Sequence, residues 1–263
     1  MPERAHVLIT GASSGIGESL ARAWLAAGAA VTLVARRKNL LDQIAEAAPE
    51  RTRVIVADLS AELSPQALFD EAEAGLGPVD VLVNNAGVQI VEPAHETDWE
   101  RGEALLRVDL LVPLRLTQEA LRRMIPRRSG TIVDIASMAA LAPTPGMLFY
   151  NAAKGGLAGA SEGLRAEAAR SGVHVVTVYP GPVKSAMEAS GRAAYEETRL
   201  VKLLTPTGDP DALARLVLSA VERKRARVIY PRLNVFARWF PGTARWLIDT
   251  FTPPLKQLPR GPS

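Results

Sequence analysis

Tyr150 and Lys154 stand four residues apart in Phe149-Tyr150-Asn151-Ala152-Ala153-Lys154-Gly155. On a helix that spacing puts a phenol and an ammonium on one face, one turn apart. An ammonium beside a phenol stabilises the phenolate and draws its pKa down from ~10, so the pair can give a proton to a carbonyl oxygen or take one from an alcohol. The spacing alone is common on ordinary helix surfaces. Its weight comes from its company: a glycine-rich stretch Thr10-Gly11-Ala12-Ser13-Ser14-Gly15-Ile16-Gly17, the run Asn84-Asn85-Ala86-Gly87, Ser137 thirteen residues before the tyrosine, and Pro180-Gly181 after it.

Such groups need a scaffold, and the hydrophobic pattern supplies one. Short apolar runs rich in β-branched residues occur at Val7–Thr10, Ala30–Ala35, Arg53–Ala57, Val79–Asn84, Gly130–Ala136, Val173–Tyr179 and Arg227–Tyr230. Between them lie helix-period segments near Ile16–Ala27, Lys38–Ala48, Ser64–Ala74, Trp99–Met124, Leu148–Ser171 and Asp209–Lys224. Strands that are apolar nearly throughout, alternating with helices, predict an α/β chain with a doubly wound, mostly parallel sheet of seven strands covered on both faces. Ligands of such sheets bind outside the carboxyl ends of the strands. The chemically marked residues fall there: Thr10-Gly11 after the first strand, Arg36-Arg37 after the second, Asp58 after the third, Asn84 to Gly87 at the fourth, Ser137 after the fifth and Pro180-Gly181 after the sixth.

Each motif has a physical reading. Glycines between a strand and a helix permit a tight turn and close backbone approach, and the helix that follows offers free N–H groups to a pyrophosphate. Arg36 and Arg37 stand where a binder of unphosphorylated dinucleotide would carry a carboxylate for the ribose hydroxyl, and guanidinium there suits a 2′-phosphate. Asp58 can accept from an adenine amine or serve as a cap or turn residue. Asn84 to Gly87, read alone, is turn chemistry.

In order and spacing these motifs resemble the short-chain dehydrogenase/reductase family, in its classical subgroup, from about Val7 to Tyr230. The resemblance implies a single Rossmann-type domain with an NADP(H) site. It places Gly11, Ser13, Ser14, Gly15, Ile16 and Gly17 at the pyrophosphate, Arg36 and Arg37 at the 2′-phosphate, and Asp58 with Leu59 at adenine. Asn85, Ala86 and Gly87 would lie near the adjoining ribose, Tyr150 and Lys154 would hold the nicotinamide ribose, and Pro180, Gly181, Val183 and Ser185 would flank the nicotinamide. Ser137 would polarise the substrate carbonyl, Tyr150 would be the acid or base and Lys154 would keep it acidic, with hydride coming from the cofactor. Relatives pair through their long fourth and fifth helices, which implies a homodimer or homotetramer.

One position departs from the family. Where relatives carry asparagine within Val-Asn-Leu, this chain reads Val108-Asp109-Leu110. The family residue helps hold a water in a proton relay, partly through its backbone carbonyl, so retained activity is expected. An Asp109→Asn variant gaining several orders of magnitude in turnover would mean the native site is crippled. The segment 183–206 occupies the place of a substrate lid, where Met187 and Tyr195 can face an apolar molecule. Gln89, Met138, Leu141 and Met147 are candidates for the rest of that pocket, which would suit an apolar carbonyl or alcohol.

The catalytic domain is expected to span 1–230. The extension 231–263 carries Phe236, Trp239, Phe240, Trp246, Leu247, Ile248 and Phe251 among Arg232, Arg238 and Arg245, with Pro241-Gly242 predicted to break it into two short helices. It reads as an amphipathic element that rests on a membrane surface, covers the active site, packs at a subunit interface, or folds back on its own domain.

Composition narrows the rest. With no cysteine among 263 residues, disulfides and thiolate nucleophiles are excluded. No apolar run reaches the length of a membrane span, and residues 1–10 read as a strand, so a cytoplasmic location is expected, with contact at a membrane surface through the extension as an option. A net charge of +3 without an aromatic-interleaved basic stripe argues against nucleic acid. The clusters Arg122-Arg123, Arg127-Arg128 and Arg223-Lys224-Arg225 read as helix C-terminal charges. His6, His95 and His174 lack partners at ligand spacing, so no metal is assigned. The function expected is an NADP(H)-dependent carbonyl reductase or alcohol dehydrogenase. The alternatives are a low-turnover NADP(H)-binding sensor or scaffold, and a membrane-surface protein whose extension is its main functional element.

Overall fold

The computed structural model describes residues 5–196, 207–231 and 234–256. Part of the expected lid (197–206), Arg232 and the last seven residues lie outside the described residues. Strands β1 (His6–Thr10), β2 (Ala30–Ala35), β3 (Thr52–Val56), β4 (Val81–Asn84), β5 (Gly130–Ile135), β6 (Val173–Pro180) and β7 (Arg227–Tyr230) form one sheet in the order β3-β2-β1-β4-β5-β6-β7. Every pairing is parallel. The order reverses between β1 and β4, which makes that crevice the binding position expected of this topology.

The helices before the midpoint are α1 (Gly15–Ala26), α2 (Lys38–Ala45), α3 (Pro65–Glu73), α4 (Trp99–Leu106) and α5 (Val112–Arg127). Those after it are α6 (Leu148–Arg170), α7 (Ala186–Ala193), α8 (Pro210–Glu222), α9 (Val235–Trp239) and α10 (Pro241–Phe251). Successive side chains on a strand point to opposite faces, and here both faces are dry. Val7, Ile9, Val31 and Leu33 pack on Leu20, Trp24, Leu41 and Val217 of α1, α2 and α8. On the other face Leu8, Val34 and Leu82 pack on Phe69, Leu116 and Met124 of α3 and α5. That two-sided burial is why the strands lack the polar alternation of a half-exposed sheet.

Two expectations need correction. The single helix expected over Trp99–Met124 is interrupted: between α4 and α5, Arg107–Leu111 form a π turn in which the Val112 N–H donates to the Arg107 carbonyl. Pro113 accounts for this, since it has no N–H for the Asp109 carbonyl four residues back and its ring crowds that turn. Arg123, expected to complement a helix end, instead reaches across to α3, 2.7 Å from both Asp70 and Glu73, while also pairing with Glu119. Three carboxylates hold its pKa above the ordinary value against the opposing effect of burial.

The extension is broken where expected, with Pro241 in the first turn of α10, a position where its missing N–H costs nothing. It is anchored to the sheet at Glu162 of α6, whose carboxylate receives Arg165 (2.7 Å), the Tyr179 hydroxyl (2.9 Å) and Arg227, with Arg238 of α9 at 3.6 Å. Burial works to raise the Glu162 pKa, but these donors hold it at about 2. A carboxylate depressed below its unfolded value stabilises the fold above the unfolded pKa, and that contribution disappears as pH falls through the folded one. Glu162→Gln should therefore lose about 1–3 kcal/mol at pH 7, the scale of charge-assisted hydrogen bonds. The gap to the native chain should close between pH 5 and pH 2 in denaturant titrations, and a gap independent of pH would contradict this assignment.

Candidate active site

The glycine turn works by letting backbone meet backbone. Gly11 and Gly15 have φ of +66° and +57°, and a Cβ on Gly17 would lie 2.2 Å from the Gly11 carbonyl oxygen. The turn is braced from β4: the Asn85 amide donates to the carbonyls of Thr10 (2.9 Å) and Gly11 (3.2 Å), and the Thr10 hydroxyl accepts from the Asn85 and Ala86 N–H groups. Asn85 is thus engaged in holding the loop, a role its expected place beside a ribose does not include. The N-terminus of α1 opens into the same space, with its first-turn N–H groups lacking helical acceptors. Ser14 makes no cap bond to that helix. Its hydroxyl and that of Ser13 instead accept from Arg37, at 2.7 and 2.9 Å. Arg36 is exposed beside them. Asp58 reads as a turn residue, since its Oδ1 accepts from the Ser60 N–H and hydroxyl, and these bonds lower its pKa.

At the far end of the cavity, Tyr150 and Lys154 sit in the first two turns of α6, both buried. Lys154 donates to the Ile135 carbonyl of β5 (3.1 Å), and its Nζ lies 3.3 Å from Asp109 Oδ2 and 5.8 Å from the Tyr150 ring centre. Asp109 has no exposed surface, and its Oδ1 accepts from the Val88 N–H at 2.8 Å. Ser137 follows β5 and accepts from the Ala139 N–H at 3.1 Å, which leaves its own proton to donate elsewhere.

The electrostatics differ from the expectation. Burial lowers the Lys154 pKa, but Asp109, Tyr150 and Asp134 outweigh it and hold the ammonium above its ordinary value. Burial pushes the Asp109 carboxyl up against the pull of Lys154 and Val88. The Tyr150–Lys154 spacing predicts a phenol below its usual value. Burial instead carries Tyr150 above it, with Asp109 adding to the rise while Lys154 and Ser137 oppose it. The lysine acts in the anticipated sense, but its charge is shared with a carboxylate absent from the family pattern.

Gly11, Arg37, Asp58, Asp109, Ser137, Tyr150 and Lys154 all border one cavity of about 1070 Å³. Gly11, Ser13 to Gly17, Arg36, Arg37, Asp58, Leu59, Ala86 and Gly87 line one end, and Ser137, Met138, Gln89, Met147, Tyr150 and Lys154 the other, with Pro180, Gly181, Val183, Ser185, Met187 and Tyr195 also on its wall. Ser185 caps α7 through the Glu188 N–H. Leu141 turns away, into an apolar cluster with Ala136, Ala158 and Tyr179. Sequence reasoning missed Arg101, Ile90, Ala142 and Asn234, which line the cavity without belonging to any motif. It also missed Asp134, a buried neighbour of Lys154 held at 2.8 Å by the Asn84 amide. A charged residue inside an otherwise apolar strand was the available signal. Among the described residues, no group of histidines and carboxylates could hold a metal ion, and no helix is long and apolar enough to cross a membrane.

The model of the short chain dehydrogenase family matches residues 5–196, most of the chain. The chain belongs to the short-chain dehydrogenase family. Nodulation protein G of a Rhizobium strain is 39% identical over 183 residues, which is 68% of this chain and 74% of that protein. A short-chain dehydrogenase from Streptomyces avermitilis superposes with a TM-score of 0.79 at 30% identity, covering 95% of this chain and 97% of its own. A single-residue variant of actinorhodin polyketide ketoreductase, solved with NADPH, gives 0.80 at 27% identity, covering 88% and 97%. The chain is thus an oxidoreductase of this family, with its seven-stranded doubly wound sheet.

A dinucleotide suits the residues present. Glycines at contact distance, an open helix N-terminus and a serine–arginine cluster at one end are joined by a single cavity to Ser137, Tyr150 and Lys154 at the other. Asp109→Asn removes the charge that adds to the burial-driven rise of the Tyr150 pKa. The variant should keep turnover within about tenfold of native, well short of the ~10²–10⁴-fold that a lost acid or base costs. With Tyr150 as the base of an alcohol oxidation, the pH profile of that reaction should move to lower pH. Identical pH profiles in the two proteins would mean that Asp109 does not influence the acid.

Proposed function

We propose that this chain is an NADP(H)-dependent oxidoreductase that moves hydride between the nicotinamide and an apolar carbonyl or alcohol, with Tyr150 as acid and base. The observation that carries this reading is the meeting of Ser137, Tyr150 and Lys154 in the cavity whose other end holds the glycine turn. The nicotinamide would supply the hydride. Ser137, its lone pair engaged by Ala139, would donate to the carbonyl oxygen and fix it beside Tyr150. The phenol would then release its proton to the forming alkoxide, and Lys154, kept charged by Asp109, would stabilise the phenolate left behind. Asn85 would keep Gly11 against Ala86 so that the pyrophosphate can approach the backbone.

Preference for NADP(H) rests on Arg36 and Arg37, with the Ser13 and Ser14 hydroxyls that Arg37 already engages. NADPH in the ketoreductase neighbour agrees with this reading. The alternative of a low-turnover sensor draws on the upward shift of Tyr150. A second copy of the chain would pack across α5 and α6, where Leu111 and Leu114 are exposed and Gly155, Gly159 and Gly163 recur every four residues with open space above them.

The decisive experiment follows NADPH oxidation against a panel of ketones, aldehydes and quinones. At least one should be reduced, and Tyr150→Phe should lower its turnover by ~10²–10⁴-fold while NADPH affinity stays within a few-fold. NADPH binding with no carbonyl turned over would leave the sensor reading. Replacing Arg36 and Arg37 together by alanine should weaken NADPH relative to NADH by about tenfold to a hundredfold, from the loss of one or two charge-assisted bonds. An unchanged ratio in competitive binding would remove the 2′-phosphate assignment.

A further inference from the structure

The extension lies across the substrate end of the cavity and is tied to both of its walls. On one side, the loop that follows Ser137 receives it: Arg245 of α10 donates to the Pro143 carbonyl at 2.5 Å, and the Leu255 side chain sits so close over Gly146 that a Cβ there would be 2.8 Å away. On the other side lies the end of α7. Leu255 forms an antiparallel bridge with Tyr195, the Glu196 N–H donates to the Pro254 carbonyl (3.1 Å), and Lys256 donates to the carbonyls of Ala194 and Ala193 (2.9 Å each). Tyr195 closes the span by donating to the Pro145 carbonyl at 2.7 Å. The near end is held at Glu162 through Arg238, and Asn234 packs on Gly181. The whole strap belongs to the same polypeptide as the site it covers.

What this strap presents to the cavity is mainly apolar, Phe236, Ala244, Leu247, Ile248 and Phe251, with Asn234 and Thr252 as its polar members. Met138, Met147 and Met187 line the same cavity, unbranched side chains that adapt to irregular shapes. The arginines bordering this end are already paired, Arg101 with Glu92 at 3.2 Å and Arg192 with Glu188 at 2.7 Å. A substrate carboxylate or phosphate would have to displace a carboxylate to reach them, whereas a neutral apolar body gains by leaving water.

Building on the reductase reading, we infer that α9, α10 and residues 252–256 form the roof of a subsite for the bulky, uncharged apolar body of the substrate, held in cis, remote from the carbonyl that Ser137 and Tyr150 engage. The roof thereby sets specificity by size and contributes nothing to the proton transfer itself.

The test compares trans-1-decalone, a fused-ring ketone, with 2-butanone in the full chain. Two variants are used: Ala244→Phe, which fills the space beneath the roof, and Phe251→Ala, which removes part of it. Binding is read without cofactor, by decalone displacement of Nile red, and turnover is read with NADPH. Each variant should weaken decalone binding by roughly tenfold, the effect of two or three lost methylene contacts. Turnover of 2-butanone and NADPH affinity should stay within about threefold, since a small substrate makes no use of the roof. Native decalone affinity in both variants, or equal losses for the two ketones, would overturn the subsite. If neither ketone is reduced by the native chain but decalone binding still falls in the variants, the reductase reading fails and the subsite stands.

Discussion

Burying an ammonium is costly unless something negative is buried with it, and the site of this chain is organised around that constraint. Lys154 lies out of water against Asp109, with the Ile135 carbonyl as a further acceptor. The contacts of this pair draw together the end of β5, the π turn before α5, the segment after β4 and the first turns of α6. Removing Lys154 would leave a buried carboxylate without its cation, a defect of ~3–5 kcal/mol, whereas removing Asp109 leaves an ammonium that Asp134 and the Ile135 carbonyl still partly compensate. The same pair sets the electrostatic environment of Tyr150, so the stability of this end of the sheet and the acidity of the phenol are one problem with one solution.

Aspartate in place of the family asparagine changes the charge while conserving the shape. An amide would leave the lysine as the dominant local charge and favour the phenolate. Burial is the main reason Tyr150 ends above the usual phenol value despite a lysine one turn away, and the carboxylate at ion-pair distance from that lysine adds to the rise. The backbone at this position obeys a separate logic. Pro113 removes the N–H that would close the regular helical bond to the Asp109 carbonyl, and the helix widens there whatever side chain residue 109 carries. Two features that coincide in one residue are therefore physically independent, and the side chain can vary while the backbone geometry persists.

The fold was legible because its signals are local. Strands buried on both faces read as unbroken apolar runs, and β2 and β7 begin and end where the pattern places them. The glycine turn and the Tyr150–Lys154 spacing are equally local, since each depends on the backbone within a few residues. What could not be read required contacts across the chain. Nothing near Asn85 says that its amide braces Gly11, 74 positions away in sequence. Nothing near Arg123 names Asp70 and Glu73 as its partners. Leu141 had the right neighbours in sequence to line the pocket, but one turn of 3₁₀ helix after Ser137 aims it into the core beside Tyr179. The expected acidity of the phenol failed for the same reason: the lysine is one turn away, while the burial that raises the phenol's pKa, and Asp109 that adds to it, come from the fold.

The extension carries that distinction furthest. Its periodic aromatics announce an apolar face, and such a face has the same pattern whether it meets a bilayer, a second subunit or its own domain. The deciding contacts are polar and distant. Arg245 meets Pro143 from 102 residues away, and Tyr195 meets Leu255 across a shorter but still long interval. Backbone carbonyls of a loop accept hydrogen bonds without leaving any trace in side-chain chemistry, so a strap held mainly by carbonyls is silent in sequence. It is also selective in its consequence. Because the anchors are the loop after Ser137 and the end of α7, the strap lies at the opposite end of the cavity from Arg36 and Arg37, so the two ends of one sheet edge are built from different parts of the chain.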